Sequence, residues 1–305
     1  MYDLIVIGSG PAGLGAAVYG KRAGLSTLVL EQAPMSGGQI LNTWEVDNYL
    51  GLPGISGFDM GMQFREHAEK LGTQFREAEV TGVENGADRK IVKTSEGDFE
   101  AGAVIIATGA AHRKLGVPGE ERLSGMGVSY CATCDGAFFR DRTVAVIGGG
   151  DVAVEDAIFL ARGCKKVYVV HRRDELRAAK SLQDQLFALP NVEMVWNCTV
   201  NDILGEDAVT GLSLHDKKEG KDRELAVDGV FVAVGISPNS AAFAGVVKAD
   251  ENGWLEAGED CATSVPGIFA AGDVRTKKLR QVITAVADGA NAVASAQEYF
   301  LKRKG

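Results

Sequence analysis

Residues 3–31, DLIVIGSGPAGLGAAVYGKRAGLSTLVLE, decide the fold. The apolar run Leu4–Ile7 predicts a buried strand and Gly8-x-Gly10-x-x-Gly13 a tight turn. The small-residue segment to about Ala23 then predicts a helix, and Thr27–Leu30 a second strand. A glycine triplet alone is a weak signal. Here it follows a strand, opens a helix through Pro11 and Ala12, and is followed by Glu31 at the next strand end. The helix N-terminus suits a pyrophosphate, and a carboxylate at that strand end accepts hydrogen bonds from ribose hydroxyls. The alternative, a ligand-free strand–helix turn, is disfavoured by the register of the acid.

The pattern recurs at 143–173, TVAVIGGGDVAVEDAIFLARGCKKVYVVHRR. Gly148-x-Gly150-x-x-Ala153 forms the turn, with Asp151 and Val152 opening its helix. Counting from Gly148 as from Gly8 to Glu31 lands on His171, with Arg172, Arg173 and then Arg177 behind it. A carboxylate repels a ribose 2′-phosphate, whereas guanidinium groups bind it through charge-assisted bonds. The second turn is therefore read as an NADPH site and the first as a site for a dinucleotide with free ribose hydroxyls, such as FAD. A solvated basic turn is the bland reading of HRRDELR, and the register against the glycines argues against it. For His171 two readings stay open: contact with the phosphate, or a ring packed against the glycine loop.

Two further stretches complete the first site. AVIIATGA (103–110) is a buried strand ending in Ala107, Thr108 and Gly109, where a loop can cross over a dinucleotide. GIFAAGDV (267–274) is another short strand; it ends in Gly272 and Asp273, whose carboxylate suits ribityl or phosphate-side hydroxyls. The helical segment after it, with Val282 near its start, points an N-terminus at the flavin end. The expected architecture is α/β: two Rossmann-like dinucleotide-binding domains, the NADPH domain (113–240) inserted into a discontinuous FAD domain (1–112 and 241–305).

Composition agrees with such a fold and excludes other classes. With 305 residues there is room for two domains but not a third, and the 39 glycines cluster at the ends of apolar runs. A net charge of −9 leaves no basic face for nucleic acid. No apolar run approaches the roughly 20 residues of a membrane span. The opening MYDLIVIGSG shows no basic n-region or cleavage site. Five cysteines with a single CxxC pair do not make a secreted framework, so a cytoplasmic location is expected.

Together CATCDG, GGGDVAVEDA, HRRDELRA, GSGPAG, VDNYLGLPG and AAGDV…RQ resemble the small bacterial-type thioredoxin reductases, in that family's order and over essentially the whole chain. Two positions depart from its pattern. Val152 stands where a small hydroxyl residue is common, and Leu50 where proline is. The resemblance implies that Glu31, Gln39 beside Gly38, Asn48, Asp273, Arg280 and Gln281 line the FAD site. It implies that Gly150, Ala153, Arg172, Arg173 and Arg177 hold NADPH, that Cys134 faces the flavin, and that the protein is a homodimer.

The remaining question is the chemistry of CATCDG at 131–136. Zinc needs four ligands, and Cys164, Cys198 and Cys261 form no second pair, so no metal is expected. The motif lacks the short βαβ beginning of a thioredoxin-like domain. Plain core cysteines would not require the acid behind them. A reversible Cys131–Cys134 dithiol does, because a leaving thiolate must gain a proton and later return it. That nominates Asp135 as acid and base. Which sulfur joins the partner stays open.

The leading reading passes electrons from NADPH through FAD and Cys131–Cys134 to thioredoxin or a glutaredoxin-like protein. A ferredoxin-fed reductase is opposed by the arginine cluster, and a peroxiredoxin-linked form by a chain that opens on the flavin strand. A nucleotide-sensing binding protein would keep its cysteines as thiols. The linkers 110–119 and 234–241, rich in Gly, Pro, Ser or Asn, are the expected hinges of a rigid-body swing of the insert.

Overall fold

The computed structural model describes every residue except Trp44, Ala87 and Gly305, and only the backbone of Asn42 and Lys304. The chain groups into two units: an outer one, Met1–Ala111 with Ser237–Gly305, and an inner one, His112–Ile236.

In the outer unit the elements run β1 (Tyr2–Ile7), α1 (Pro11–Arg22), β2 (Thr27–Glu31), α2 (Gly57–Lys70), β3 (Gln74–Glu77), β4 (Val80–Asn85), β5 (Lys90–Thr94) and β6 (Gly97–Ile106); beyond the insert come β17 (Ile268–Ala270) and α6 (Val282–Lys304). The sheet order is β3-β2-β1-β6-β5-β4, with β17 also on β6. Strands β3, β2, β1, β6 and β17 are parallel. Strand β5 pairs antiparallel with the first half of β6, and β4 pairs antiparallel with β5 at the sheet edge. Successive residues of β1 enter opposite faces. Leu4 and Val6 pack with Leu14, Ala16 and Ala292 on one side, Ile5 and Ile7 with Val92 and Phe243 on the other. An apolar run with no polar alternation is what a parallel sheet covered on both faces requires. Helices α1 and α6 cross closely: a Cβ at Gly289 would collide with the Ala12 carbonyl.

The inner unit contains β8 (Val128–Ser129), α3 (Ala132–Asp135), β9 (Thr143–Ile147), α4 (Asp151–Ala161), β10 (Lys166–Val170), α5 (Lys180–Phe187), β11 (Val192–Val195), β12 (Cys198–Leu204), β13 (Gly211–Asp216), β14 (Lys221–Ala226) and β15 (Gly229–Val232). Its main sheet, β11-β10-β9-β15-β8, is parallel throughout, and β12-β13-β14 form a separate antiparallel sheet. Strand β9 repeats the β1 pattern: Val144 and Val146 join Val154 and Ala157 of α4, while Ala145 and Ile147 face Val195 and Val230. In both units the strand before the glycine turn lies inside the sheet, with the next strand on one side and a crossover on the other. This is the Rossmann arrangement.

Short strands β7 (Ala110–His112) and β16 (Ile236–Pro238) lie where the chain passes between units. The second passage falls at 236/237, not at 240/241 as the sequence suggests. Residues 237–240 group with the outer unit because Asn239 is tied to the β6 loop: Thr108 Oγ1 donates to its carbonyl at 2.6 Å, and its N–H donates to Gly109 at 3.0 Å. Among the described residues no helix is long and apolar enough to cross a membrane.

Candidate active site

The outer cradle is assembled from segments far apart in sequence. Gly8 has φ +101°, and its Cα lies so close to the Ala107 carbonyl that a side chain would strike it. Gly37 N–H donates to Ser9 at 2.9 Å, which brings Gly38 onto Gly10, and Gln39 Nε2 donates to the Ala110 carbonyl. Gly272 packs on Ala12 and Ala285, beside the start of α6. Asn48 Nδ2 donates to Gln281 Oε1 at 3.0 Å. The residues expected around one dinucleotide therefore converge.

Glu31 stands at the end of β2, as its register requires. Its Oε2 accepts both the N–H and the hydroxyl of Ser9 at 2.8 Å, and its Oε1 accepts the Ala33 N–H at 3.0 Å. The carboxylate thus braces the glycine turn and keeps lone pairs for ribose hydroxyls.

Two observations test whether FAD fits this cradle. A Cβ at Gly10, the N-cap of α1, would meet nothing nearer than the Gly37 carbonyl at 4.0 Å, and no side chain caps that helix. Space and free N–H groups therefore coincide where a pyrophosphate would sit. Nearby, among the described residues, Asp273 Oδ1 and Arg280 Nε are buried without a partner. Buried polar atoms rarely stay unpaired, so both are suited to a bound polar ligand. Burial raises the Asp273 carboxyl, against the pull of Lys277 and Arg280. The Arg280 guanidinium lies 3.9 Å from the Trp254 ring centroid.

Sequence reasoning missed the support beneath this loop. Asp288, on α6 and 4% exposed, accepts the Gly272 N–H at 2.9 Å, two bonds from Arg275 at 2.8 and 2.7 Å, and one from Lys277 at 3.0 Å. It fixes the turn that presents Asp273. Nothing in the local pattern pairs a mid-helix acid with basic residues before the helix; only the AAGDVRTK segment and the ADG turn of α6 would have hinted at it.

The inner cradle has the same backbone but another border. Gly150, the uncapped N-cap of α4, has open space where a Cβ would be. Val152 is exposed at the start of that helix. Beneath the turn, the His171 ring lies so close to Gly149 that any side chain there would hit it. The ring is packed against Gly149, and among the described residues its Nε2 is buried without a partner, so both readings of His171 stand. Burial lowers its pKa, and Arg177, Arg172 and Arg173 lower it further, so it is neutral at pH 7. The loop after β10 is fastened to the glycine turn: Arg177 N–H donates to Gly149 at 2.8 Å, and Ala179 N–H to Asp151 Oδ1 at 2.7 Å. Arg172, Arg173 and Arg177 are exposed on this fastened loop. A positive border and an open helix N-terminus fit the phosphates of NADPH.

Cys131 and Cys134 are joined in a disulfide at the start of α3, with Asp135 ending that helix. Helix α3 packs on α4, and Gly136 lies against Phe159 and Leu160. Asp135 is half-buried; burial raises its carboxyl, and a hydrogen bond from Ser129, 2.6 Å from Oδ2, holds it back. Tyr130, just before the pair, donates to Glu120 at 2.9 Å, and that buried carboxylate also takes the N–H groups of Leu115 and Gly116. Neither Ser129 nor Glu120 carries a sequence signal. The other three cysteines are buried thiols, and burial pushes Cys164 to about 11 and Cys261 to about 12. Those two are not thiolates at neutral pH.

Two glycine cradles on parallel sheets, with a disulfide and an acid in one unit, define a nucleotide-dependent disulfide oxidoreductase. A sequence model of the pyridine nucleotide-disulphide oxidoreductase family matches residues 2–289, and the chain belongs to that family. Within it, the thioredoxin reductase of Listeria monocytogenes is 47% identical over 305 residues, 100% of this chain and 95% of the relative. The thioredoxin reductase of Bacillus subtilis is 46% identical over 300 residues, 98% of this chain and 95% of the relative. The crystal structure of thioredoxin reductase from Streptococcus pyogenes matches with a TM-score of 0.95 at 47% identity, covering 99% of both chains.

Proposed function

We propose that this chain is a thioredoxin-disulfide reductase, carrying electrons from NADPH through FAD and Cys131–Cys134 to thioredoxin. The observation that carries the reading is the closed Cys131–Cys134 disulfide with Asp135 behind it, in the same unit as an arginine-bordered glycine turn. The likeness to thioredoxin reductases over the full chain supports the choice of partner.

In this reading Gly8–Gly13, Glu31, Gly38, Gln39, Asn48, Ala107–Gly109, Gly272, Asp273 and Arg280–Val282 hold FAD. Gly148–Ala153 with Arg172, Arg173 and Arg177 hold NADPH. When bound, FAD supplies a two-electron carrier between nicotinamide and disulfide. The residues of the chain do the rest. Arg172 and Arg173 select the 2′-phosphate, and Glu31 orients the other nucleotide through its ribose. Opening the Cys131–Cys134 bond consumes two electrons and two protons; Asp135 provides one of the protons to a sulfur. One sulfur, as thiolate, then attacks the partner's disulfide, and the second displaces it. The S–S bond reforms and two thiols leave on thioredoxin. The resemblance also supports a cytoplasmic homodimer.

The test is thioredoxin-dependent oxidation of NADPH by the purified flavoprotein. The reading predicts turnover that requires thioredoxin and stops when Cys131 or Cys134 is replaced by Ser. A flavin reduced by NADPH with thioredoxin left oxidised would assign another partner.

A further inference from the structure

Ser129 ends β8, is 5% exposed, and lies two residues before the first redox cysteine. Its oxygen accepts the Cys131 N–H at 3.1 Å. Its proton has two possible acceptors: Asp135 Oδ2 at 2.6 Å and the Cys131 carbonyl at 3.3 Å. A hydroxyl has one proton and serves one acceptor at a time. With Asp135 ionised, the shorter, charge-assisted bond takes it. With Asp135 protonated, the carboxyl O–H donates to Ser129 Oγ, and the hydroxyl proton turns to the Cys131 carbonyl. Each state keeps the ring of bonds closed.

We propose that Ser129 is a positioning residue whose hydroxyl holds the Asp135 carboxyl at the Cys131–Cys134 pair in both protonation states by exchanging hydrogen-bond acceptors. The proposal deepens the reading of Asp135 as proton donor and rests on it. When the S–S bond is reduced by the electrons of NADPH, a proton leaves the Asp135 carboxyl for a sulfur, and the Ser129 proton swings from the Cys131 carbonyl to Oδ2. When the thiol is consumed in reducing the partner, its proton returns to the carboxylate, the hydroxyl swings back, and a solvent proton completes the partner's second thiol.

The charges around Asp135 do not duplicate this control. The turn Gly136–Phe139 has no titratable side chain. Helix α4 brings Asp151, Glu155 and Asp156, the last pushed up to about 7 by burial and then by Glu155. On the Ser129 side stand Tyr130 and Glu120. Of all these, only the Ser129 hydroxyl offsets the effect of burial on Asp135.

The experiment is a pH titration of the carboxyl infrared band of the oxidised, FAD-loaded full chain. The Asp135 band is identified as the one absent from Asp135→Asn, which separates it from Asp156. In Ser129→Ala the band should titrate about one to two pH units higher than in the unmutated protein, since a bond to a charged group is lost. Ser129→Thr, which keeps the hydroxyl, should titrate with the unmutated protein. The limb of the turnover profile on which the donor loses its proton, the alkaline one, should move with the band. Equal midpoints in Ser129→Ala and the unmutated protein, or no Asp135 band in Ser129→Ala, overturn the proposal. Should Ser129→Ala not fold, Ser129→Cys, a weaker donor, carries the same test and direction. Wild-type turnover in Asp135→Asn alongside a shifted band would instead defeat the proton-donor reading and leave the Ser129 coupling standing.

Discussion

The two units begin alike, with a buried strand, a glycine turn and an uncapped helix, and they differ in what the following strand delivers. In the outer unit β2 ends in Glu31, which braces Ser9 and leaves a negative border. In the inner unit His171 follows the last residue of β10, its ring fills the space beneath Gly149, and the charge passes to arginines on a loop fastened to the turn. In the proposed reading the glycines suit a dinucleotide in both units, and the charge at or just after the next strand distinguishes the two: Glu31 in one, Arg172, Arg173 and Arg177 in the other. The units differ again in their buried acids. Asp288 is held ionised to support a loop; Asp135 is left easier to protonate, as the proposed proton transfer would use.

Substitutions can break this comparison one unit at a time. The largest effect is expected from Cys134→Ser, which should abolish disulfide reduction while the protein keeps its flavin and still accepts electrons from NADPH. Stopped-flow absorbance checks both halves of that statement. Asp135→Asn should slow thioredoxin turnover by roughly 10²- to 10⁴-fold with NADPH binding unchanged. A wild-type rate would reduce Asp135 to a structural residue.

In the outer unit, Asp288→Asn should cost about 3–5 kcal/mol and lower flavin retention, because Arg275 and Lys277 would be left buried without their counter-charge. Burial alone would raise the Asp288 carboxyl, but the bonds from Arg275 and Lys277 outweigh it and hold its pKa below the ordinary value. A depressed folded pKa means stability that is complete above the unfolded value of about 3.9 and is lost as pH falls through the folded one. The melting temperatures of Asp288→Asn and the unmutated protein should therefore differ at pH 7 and converge in acid. A gap that stays constant with pH would show that the ion pairs are not its source. Smallest is the arginine effect. Replacing Arg172 and Arg173 with Ala should cut the preference for NADPH over NADH by on the order of 10- to 100-fold, measured as the ratio of kcat/KM values, with flavin content intact.

Much of this was legible in the sequence because it rests on local register. Gly8 to Glu31 and Gly148 to His171 lie within single strand–turn–helix–strand units, and CATCDG carries both sulfurs and the acid within one helical turn. What stayed hidden depends on contacts between distant segments. Asp288 meets Arg275 only once α6 has packed beside the β17 loop, and Glu120 reaches Tyr130 only after the intervening turn has folded. The packing of the His171 ring beneath Gly149 is a steric fact of the fold. The placement of 237–240 was settled by Asn239 bonding to the Thr108–Gly109 loop. Neither leaves a mark in composition or spacing.

The proposal to be tested is that one unit binds NADPH through its arginine border and the other holds the flavin that accepts the electrons of NADPH. It is tested most directly by the absorbance spectrum of the purified protein under anaerobic conditions, before and after one equivalent of NADPH or NADH. The account predicts an oxidised flavin spectrum at the start, prompt bleaching with NADPH, and much slower bleaching with NADH. A flavin that NADPH leaves oxidised, or that both nucleotides reduce equally fast, would contradict it.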